Sequence, residues 1–136
     1  MPLDELLVFR QDRGRRSPLR TWLAELRVTE PRGYRKCLER ISYLQQFGPG
    51  QLSQPRAKIL RDGIWELRAK CGRVSYRILF FFCGRGVACM SHGFKKGGKG
   101  ASEDPNDGEI ETAIQRRTLI FNDRDRYTED WETDNG

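Results

Sequence analysis

Two arginines stand where they could do chemistry together. Arg68 lies in the run IWELRAK and Arg77 in VSYRILFFFC, with CGR at 71–73 between them. Both runs alternate apolar and polar residues, the period of a strand with one buried face. A hairpin turning at Gly72-Arg73 sets Ala69 against Tyr76, Leu67 against Ile78 and Trp65 against Phe80 on one apolar face. The same register sets Arg68 directly opposite Arg77 on the other face. Like charges so placed repel. Either an anion sits between them, or each arginine has a carboxylate nearby, Glu66 being the candidate. Guanidinium forks match phosphate oxygens in bidentate pairs, and fixed cations stabilise the extra charge of a phosphorane. Cleaving RNA needs little more, because the substrate's own 2′-hydroxyl can attack the adjacent phosphate once it is positioned and its proton is accepted. Lys95, Lys96 and Lys99 follow the next apolar run and add positive charge. His92, or a lysine whose pKa is lowered by cationic neighbours, is the candidate base. Arg73, Phe94 and Lys99 are candidate RNA contacts, Phe94 by stacking on a base. Tyr76 could stack too, but it falls on the apolar face.

These residues need a sheet to hold them. Ile64–Lys99 reads as three consecutive antiparallel strands, the third being VACMSHGF, that end in a flexible basic loop. Leu3–Phe9 is a short apolar run, read as a further strand of that sheet because Gly14 and Pro18 close it off. Arg10–Arg16, with four arginines and one aspartate, reads as a solvated loop. Ser17-Pro18 is a helix-start signal, and Leu19, Trp22, Leu23 and Leu26 recur at helical spacing up to Val28-Thr29. A second helix runs from about Arg32 to Phe47, with Tyr34, Cys37, Leu38, Ile41 and Leu44 on one face; Gly48 stops it. The pair should form a helical hairpin on one face of the sheet. Gln51–Arg61 is polar, and Asp62-Gly63 turns into the sheet. Gly93–Gly108 shows no periodicity and reads as a mobile loop. A last helix starts near Asn106 or Asp107 and carries Ile110, Ala113, Ile114 and Phe121 on one side. Glu109 and Glu111 in its first turn, and Arg116 and Arg117 near its end, suit the macrodipole.

The charge distribution points to a polyanion. The chain has 136 residues, 25 of them basic and 19 acidic. Residues 123–136 hold two of the basic and six of the acidic ones, which leaves residues 1–122 at +10. A basic body with a short acidic tail suits a nucleic-acid partner. The tail beyond Asn122 is poor in apolar residues and reads as mostly disordered, so the domain is expected to span 1–122; the charge split suggests, as the less favoured alternative, a fold-back of the tail over the basic face. The length suits one core.

Other chemistries fit poorly. Cys37, Cys71, Cys83 and Cys89 form no paired ligand pattern and His92 is the sole histidine, so neither a zinc site nor any other metal or cofactor is expected. Gly93–Gly100, GFKKGGKG, nearly matches a phosphate loop, but Gly100 stands where the magnesium-binding hydroxyl belongs. Ser91 and His92 are neighbours on a strand and point to opposite faces, which argues against acyl chemistry. No apolar run approaches a membrane span and no secretory leader is legible, so a cytoplasmic protein with reduced thiols and no membrane partner is expected.

In combination the residues resemble a known family. LRDGIWELRAKCGRVSYRILFFFCGRGVACMSHGFKK, followed by a loop and a helix ending EIETAIQRR, is similar to the HigB branch of the RelE-type toxins of bacterial toxin–antitoxin systems. The shared features are Trp65-Glu66-Leu67-Arg68, Tyr76-Arg77, an apolar third strand leading into His92-Gly93-Phe94-Lys95-Lys96, and the terminal amphipathic helix, over about residues 3–121. The resemblance implies an α+β fold with two N-terminal helices on a small antiparallel sheet and a C-terminal helix. It implies entry into the ribosomal A site, mRNA cleavage, and neutralisation by a cognate antitoxin, expected to be a helix-turn-helix protein. By position, Arg68 and Arg77 would bind and polarise the phosphate, and Lys95 or Lys96 would supply further charge or the base.

Overall fold

The protein is α+β. The computed structural model describes residues 2–48, 56–98 and 106–132. In chain order the elements are β1 (Glu5–Phe9), α1 (Pro18–Thr29), α2 (Pro31–Phe47), β2 (Ala57–Ile59), β3 (Trp65–Cys71), β4 (Val74–Gly84), β5 (Val87–Lys96), α3 (Asn106–Asn122), α4 (Arg124–Tyr127) and β6 (Thr128–Asp130). The six strands form one sheet in the order β2-β3-β4-β5-β1-β6.

Local chemistry sets the helix ends. The Ser17 hydroxyl accepts from the Arg20 N–H and Pro18 fills the first turn of α1. Pro31 opens α2, and Gly48 closes it at φ 72°, a conformation that favours glycine. Leu19, Leu23 and Leu26 of α1 and Cys37, Ile41 and Leu44 of α2 pack with Leu6, Val8, Leu67, Tyr76, Ile78, Phe80 and Met90 on one face of the sheet. The other face gathers Leu7, Phe9, Leu79, Phe81, Cys89 and Phe94 under Ile110, Ala113 and Ile120 of α3. Strands β4, β5 and β1 are therefore apolar on both sides, and their sequences read as nearly continuous apolar runs for that reason.

The β3–β4 hairpin has the register that alternation predicts. Trp65 pairs with Phe80, Leu67 with Ile78, Arg68 with Arg77 and Ala69 with Tyr76, and Gly72 takes φ 63° in the turn. The remaining sheet corrects several expectations. It is mixed, because β1 runs parallel to β5 (Glu5 opposite Val87, Val8 opposite Met90); the α1–α2 hairpin belongs to the long crossover that a parallel pair requires. Ala57–Ile59 of the polar segment forms β2, paired with Trp65–Leu67. Strand β5 continues to Lys96, so Gly93–Lys96 is sheet and not loop. Residues 99–105, the remainder of that expected loop apart from its ends, lie outside the described residues. On α3, Ile120 is buried and Phe121 is 63% exposed. Ile120 lies two helical turns beyond Ala113 and so continues its stripe.

Residues 123–132 of the acidic tail are structured, against expectation. Its β6 pairs antiparallel with β1, Leu7 opposite Asp130 and Phe9 opposite Thr128. Thr128 and Trp131 are buried, and the Arg20 guanidinium lies 4.6 Å over the Trp131 ring. Few apolar residues suffice here, because the backbone ladder of β1 supplies partners that composition does not reveal. The tail also lies at the β1 side of the sheet, with β5 and β1 between it and the Arg77 strand, so residues 123–132 do not fold back over the Arg68–Arg77 pair. They meet the N-terminal arginine loop instead: Arg10 donates to the carbonyls of Asp125 and Arg126, and Arg126 pairs with Asp12.

Candidate functional site

The two arginines share one buried carboxylate. Glu66, Arg68 and Lys70 alternate along the α3-facing side of β3, and Ser75 and Arg77 come from β4 on the same side. The Arg68 N–H donates outward to the Arg56 carbonyl, away from β4. Arg68 and Arg77 therefore form a non-hydrogen-bonded pair, the closer of the two antiparallel spacings. Glu66, 0% exposed, answers both charges: Oε1 accepts from Arg68 Nε at 2.7 Å, and Oε2 lies 3.6 Å from Arg77 Nη1. The two contacts are unequal. Among the described residues Glu66 Oε2 has no hydrogen-bond partner, and Arg77 Nε reaches the Ser75 hydroxyl at 3.4 Å.

Beside the two arginines lies a shallow cavity of about 260 Å³ lined by Arg40, Arg56, Arg68, Lys70, Ser75 and Arg77. Arg40 comes from α2 and donates Nε to the Arg68 carbonyl at 3.1 Å. Arg56 leads into β2, with its guanidinium 5.7 Å from the Tyr43 ring centroid. Helix α2 and strand β2 thus bring two more cations to the outer edge of β3. Five cationic side chains line the cavity; Glu66 meets two of them and Glu39 a third, 3.7 Å from Arg40 Nη1, so positive charge remains in excess at the concavity. Such a site can hold an anion with oxygens to spare for several donors.

The other expected residues divide by sheet geometry. Lys96 lies opposite Ser75, on the cavity's side of the sheet. Lys95 lies opposite Tyr76, on the helix-pair side, where Nζ donates to Glu30 Oε2 at 2.7 Å. One residue of sequence thus places the two lysines on opposite faces. Phe94, opposite Arg77, is 6% exposed and packs in the α3 core with Ile110, so stacking on a base is not open to it. His92, 9% exposed, lies under α3: Nδ1 is 2.8 Å from the Ser91 hydroxyl and Nε2 3.5 Å from Glu109 Oε1. A bulge at Ser91 shifts the register there, since Leu79 pairs with His92 but Phe80 with Met90. His92 does not line the cavity. Arg73 is exposed at the hairpin turn. Lys99 lies outside the described residues. The carboxyl of Glu30 is buried enough to raise its pKa, yet the hydrogen bonds from Lys95 and Tyr76 outweigh this and leave it below its ordinary value. Burial, with Glu30 nearby, pushes the Cys37 thiol up to about 12.

Arg40, Arg56 and Lys70 were not singled out by the sequence. Lys70 could have been, since it lies two residues beyond Arg68 on the same strand face. Arg40 looks like any charge on the polar side of an amphipathic helix, and Arg56 belongs to a polar stretch without period.

Residues 24–118 match the family of phage-derived Gp49-like proteins, DUF891. The chain belongs to that family. The matched span runs from the middle of α1 into α3 and includes every cation of the cavity, whereas β1 and β6 lie outside it. The Gp49-like family is associated with toxin–antitoxin systems, and an antitoxin is the partner this suggests. No curated protein matches the chain. Among the described residues no helix is long and apolar enough to cross a membrane, and no cluster of three or more His, Cys, Asp or Glu side chains could hold a metal ion.

Proposed function

We propose that this Gp49-like protein is a HigB/RelE-type toxin: an endoribonuclease that cuts translated mRNA in the ribosomal A site and is neutralised by a cognate helix-turn-helix antitoxin. The observation that carries this reading is the convergence of Arg40, Arg56, Arg68, Lys70 and Arg77 on one cavity beside Ser75. A phosphodiester in that cavity meets guanidinium donors from two strands and a helix. Attack by the 2′-hydroxyl forms the O2′–P bond, breaks P–O5′, and leaves a 2′,3′-cyclic phosphate and a 5′-hydroxyl. The proton of the 2′-hydroxyl must leave and the 5′-oxygen must gain one. Arg68 and Arg77 supply the charge that stabilises the phosphorane, and Lys58, Lys70 and Lys96 lie on the cavity's side of the sheet.

A second reading, a non-catalytic RNA or ribosome binder, has one specific observation in its favour. Two of the three expected bases are engaged elsewhere: His92 with Ser91 and Glu109, Lys95 with Glu30. In the toxin reading these two are structural, and the work falls to positioning and electrostatics. Induction of the protein in bacteria, with growth and mRNA 5′ ends followed together, separates the readings. Arrest with new ends on translated messages is the expected result. Normal growth with intact messages, from folded protein, would leave the binder.

A further inference from the structure

We propose that Glu66 is a built-in competitor for the anion site: its buried carboxylate occupies the place of a phosphate between Arg68 and Arg77 and thereby sets how tightly the cavity holds RNA. This rests on the reading of the cavity as a phosphate site. Three observations lead to it. Glu66 is fully buried and touches both arginines, so it is the nearest negative charge to any anion they bind. Its hold is one-sided, close on Arg68 and loose on Arg77, and among the described residues none gives Oε2 a hydrogen bond. And five cations line the cavity, against Glu66 and Glu39 as the carboxylates that reach them among the described residues, so the cavity retains a positive field with Glu66 in place.

The asymmetry gives the two arginines different parts. The Arg68 side chain is held by the short bond to Glu66; its N–H donates to the Arg56 carbonyl and its carbonyl accepts from Arg40 Nε. It is a fixed floor of the site. Among the described residues the polar contacts of the Arg77 guanidinium are long ones, to Glu66 and to Ser75, and each guanidinium carries several N–H donors in a planar fork. Arg77 therefore turns from Glu66 to an arriving phosphate at little cost, while Glu66 stays on Arg68. When the phosphate leaves, the carboxylate receives Arg77 again, and no pair of opposed arginines is left uncompensated. A site built only of cations would bind polyanions more tightly and release them more slowly, since differences of this kind fall mainly on dissociation. Glu66 lowers that affinity and keeps the empty hairpin stable.

The test is the Glu66→Gln variant, which keeps shape and removes the charge. Binding of a short single-stranded RNA to full-length protein should tighten by about tenfold, the effect of one unit charge a few ångströms away in a partly screened site. The variant Glu66→Gln/Arg77→Gln should lose that gain. Glutamine between two opposed arginines also destabilises the empty hairpin, so melting in inorganic phosphate and in chloride at equal ionic strength is the second measurement. Phosphate should raise the melting temperature of Glu66→Gln more than that of the wild type, because it replaces the missing carboxylate. A variant that is unfolded in chloride should recover its melting transition in phosphate. RNA binding that is unchanged or weaker in the folded variant, or a transition that phosphate fails to restore, overturns the proposal. The underlying reading fails separately: there, wild-type RNA binding would not respond to Arg77→Gln at all.

Discussion

Glu30 and Glu66 each bridge two donors, on opposite faces of the same two-strand register, and they do it differently. At the α1–α2 junction Glu30 accepts from the Tyr76 hydroxyl and from Lys95 Nζ, both at 2.7 Å, one on each oxygen. Behind it the Tyr76 ring presses on Gly33, where a methyl group would overlap the ring. Every strong group in that cluster faces a partner. On the other face Glu66 has one short bond and one loose contact, and its arginines keep donors in reserve beside a cavity. A saturated network locks helices to a sheet. An unsaturated one with excess charge of a single sign is suited to a ligand. Strand alternation assigned Tyr76 and Lys95 to the first and Arg77 and Lys96 to the second, one residue apart in each case.

The comparison can be broken from either side. The largest effect is expected from Arg77→Ala, which should lower mRNA cleavage by about a hundredfold, the scale for losing one donor to a transition-state oxyanion, and relieve growth arrest while Glu66 remains paired with Arg68. Full toxicity of that variant would remove the cavity from the mechanism. Next comes Gly33→Ala, which must displace the Tyr76 ring and should cost about 1–3 kcal/mol of stability, in the range of overpacking. Urea melts would show it, and RNA affinity should stay as it was. A smaller change lies in the acid limb. The Glu30 carboxyl is lower in the folded chain than its ordinary value of 4.5, so its contribution is complete above that pH and is lost as pH falls through the lowered value. Melting temperatures of wild type and Glu30→Gln should therefore converge as the medium is acidified through that window. The smallest effect belongs to Arg73→Gln at the exposed turn. If it meets one phosphate, it should lower the salt slope of single-strand binding by about 0.7 and leave stability unchanged.

The sequence carried the hairpin and the helix pair well, because their information is local. Alternation over seven or more residues fixes which side chains share a face, and Ser17-Pro18 and Gly48 mark helix ends whatever the rest of the chain does. The arginine pair followed from the same alternation. What escaped depends on contacts between distant segments. Strand β2 is three residues long and exists because β3 offers it an edge. Strand β6 looked like a disordered tail because its partner β1 lies more than a hundred residues away. Arg40 and Arg56 reach the cavity only through the packing of α2 and β2 against β3. His92 and Phe94 stood at strand positions that composition alone would aim at a substrate. Both are covered by α3, whose placement on that face no local pattern specifies.

The first strand has a consequence for how the chain comes together. Residues 5–8 pair with 87–90, and residues 7–9 with 128–130. Neither edge of β1 is satisfied by anything nearby in the chain. Closing such loops costs entropy before any pairing returns it, and folds dominated by distant pairings form slowly. The Arg68–Arg77 hairpin, by contrast, is joined by two residues and can form early. During synthesis the basic cavity can thus take shape while the sheet that supports it still lacks its last two strands on one side, which makes the interval before β6 arrives the time when this fold is most open to misassociation.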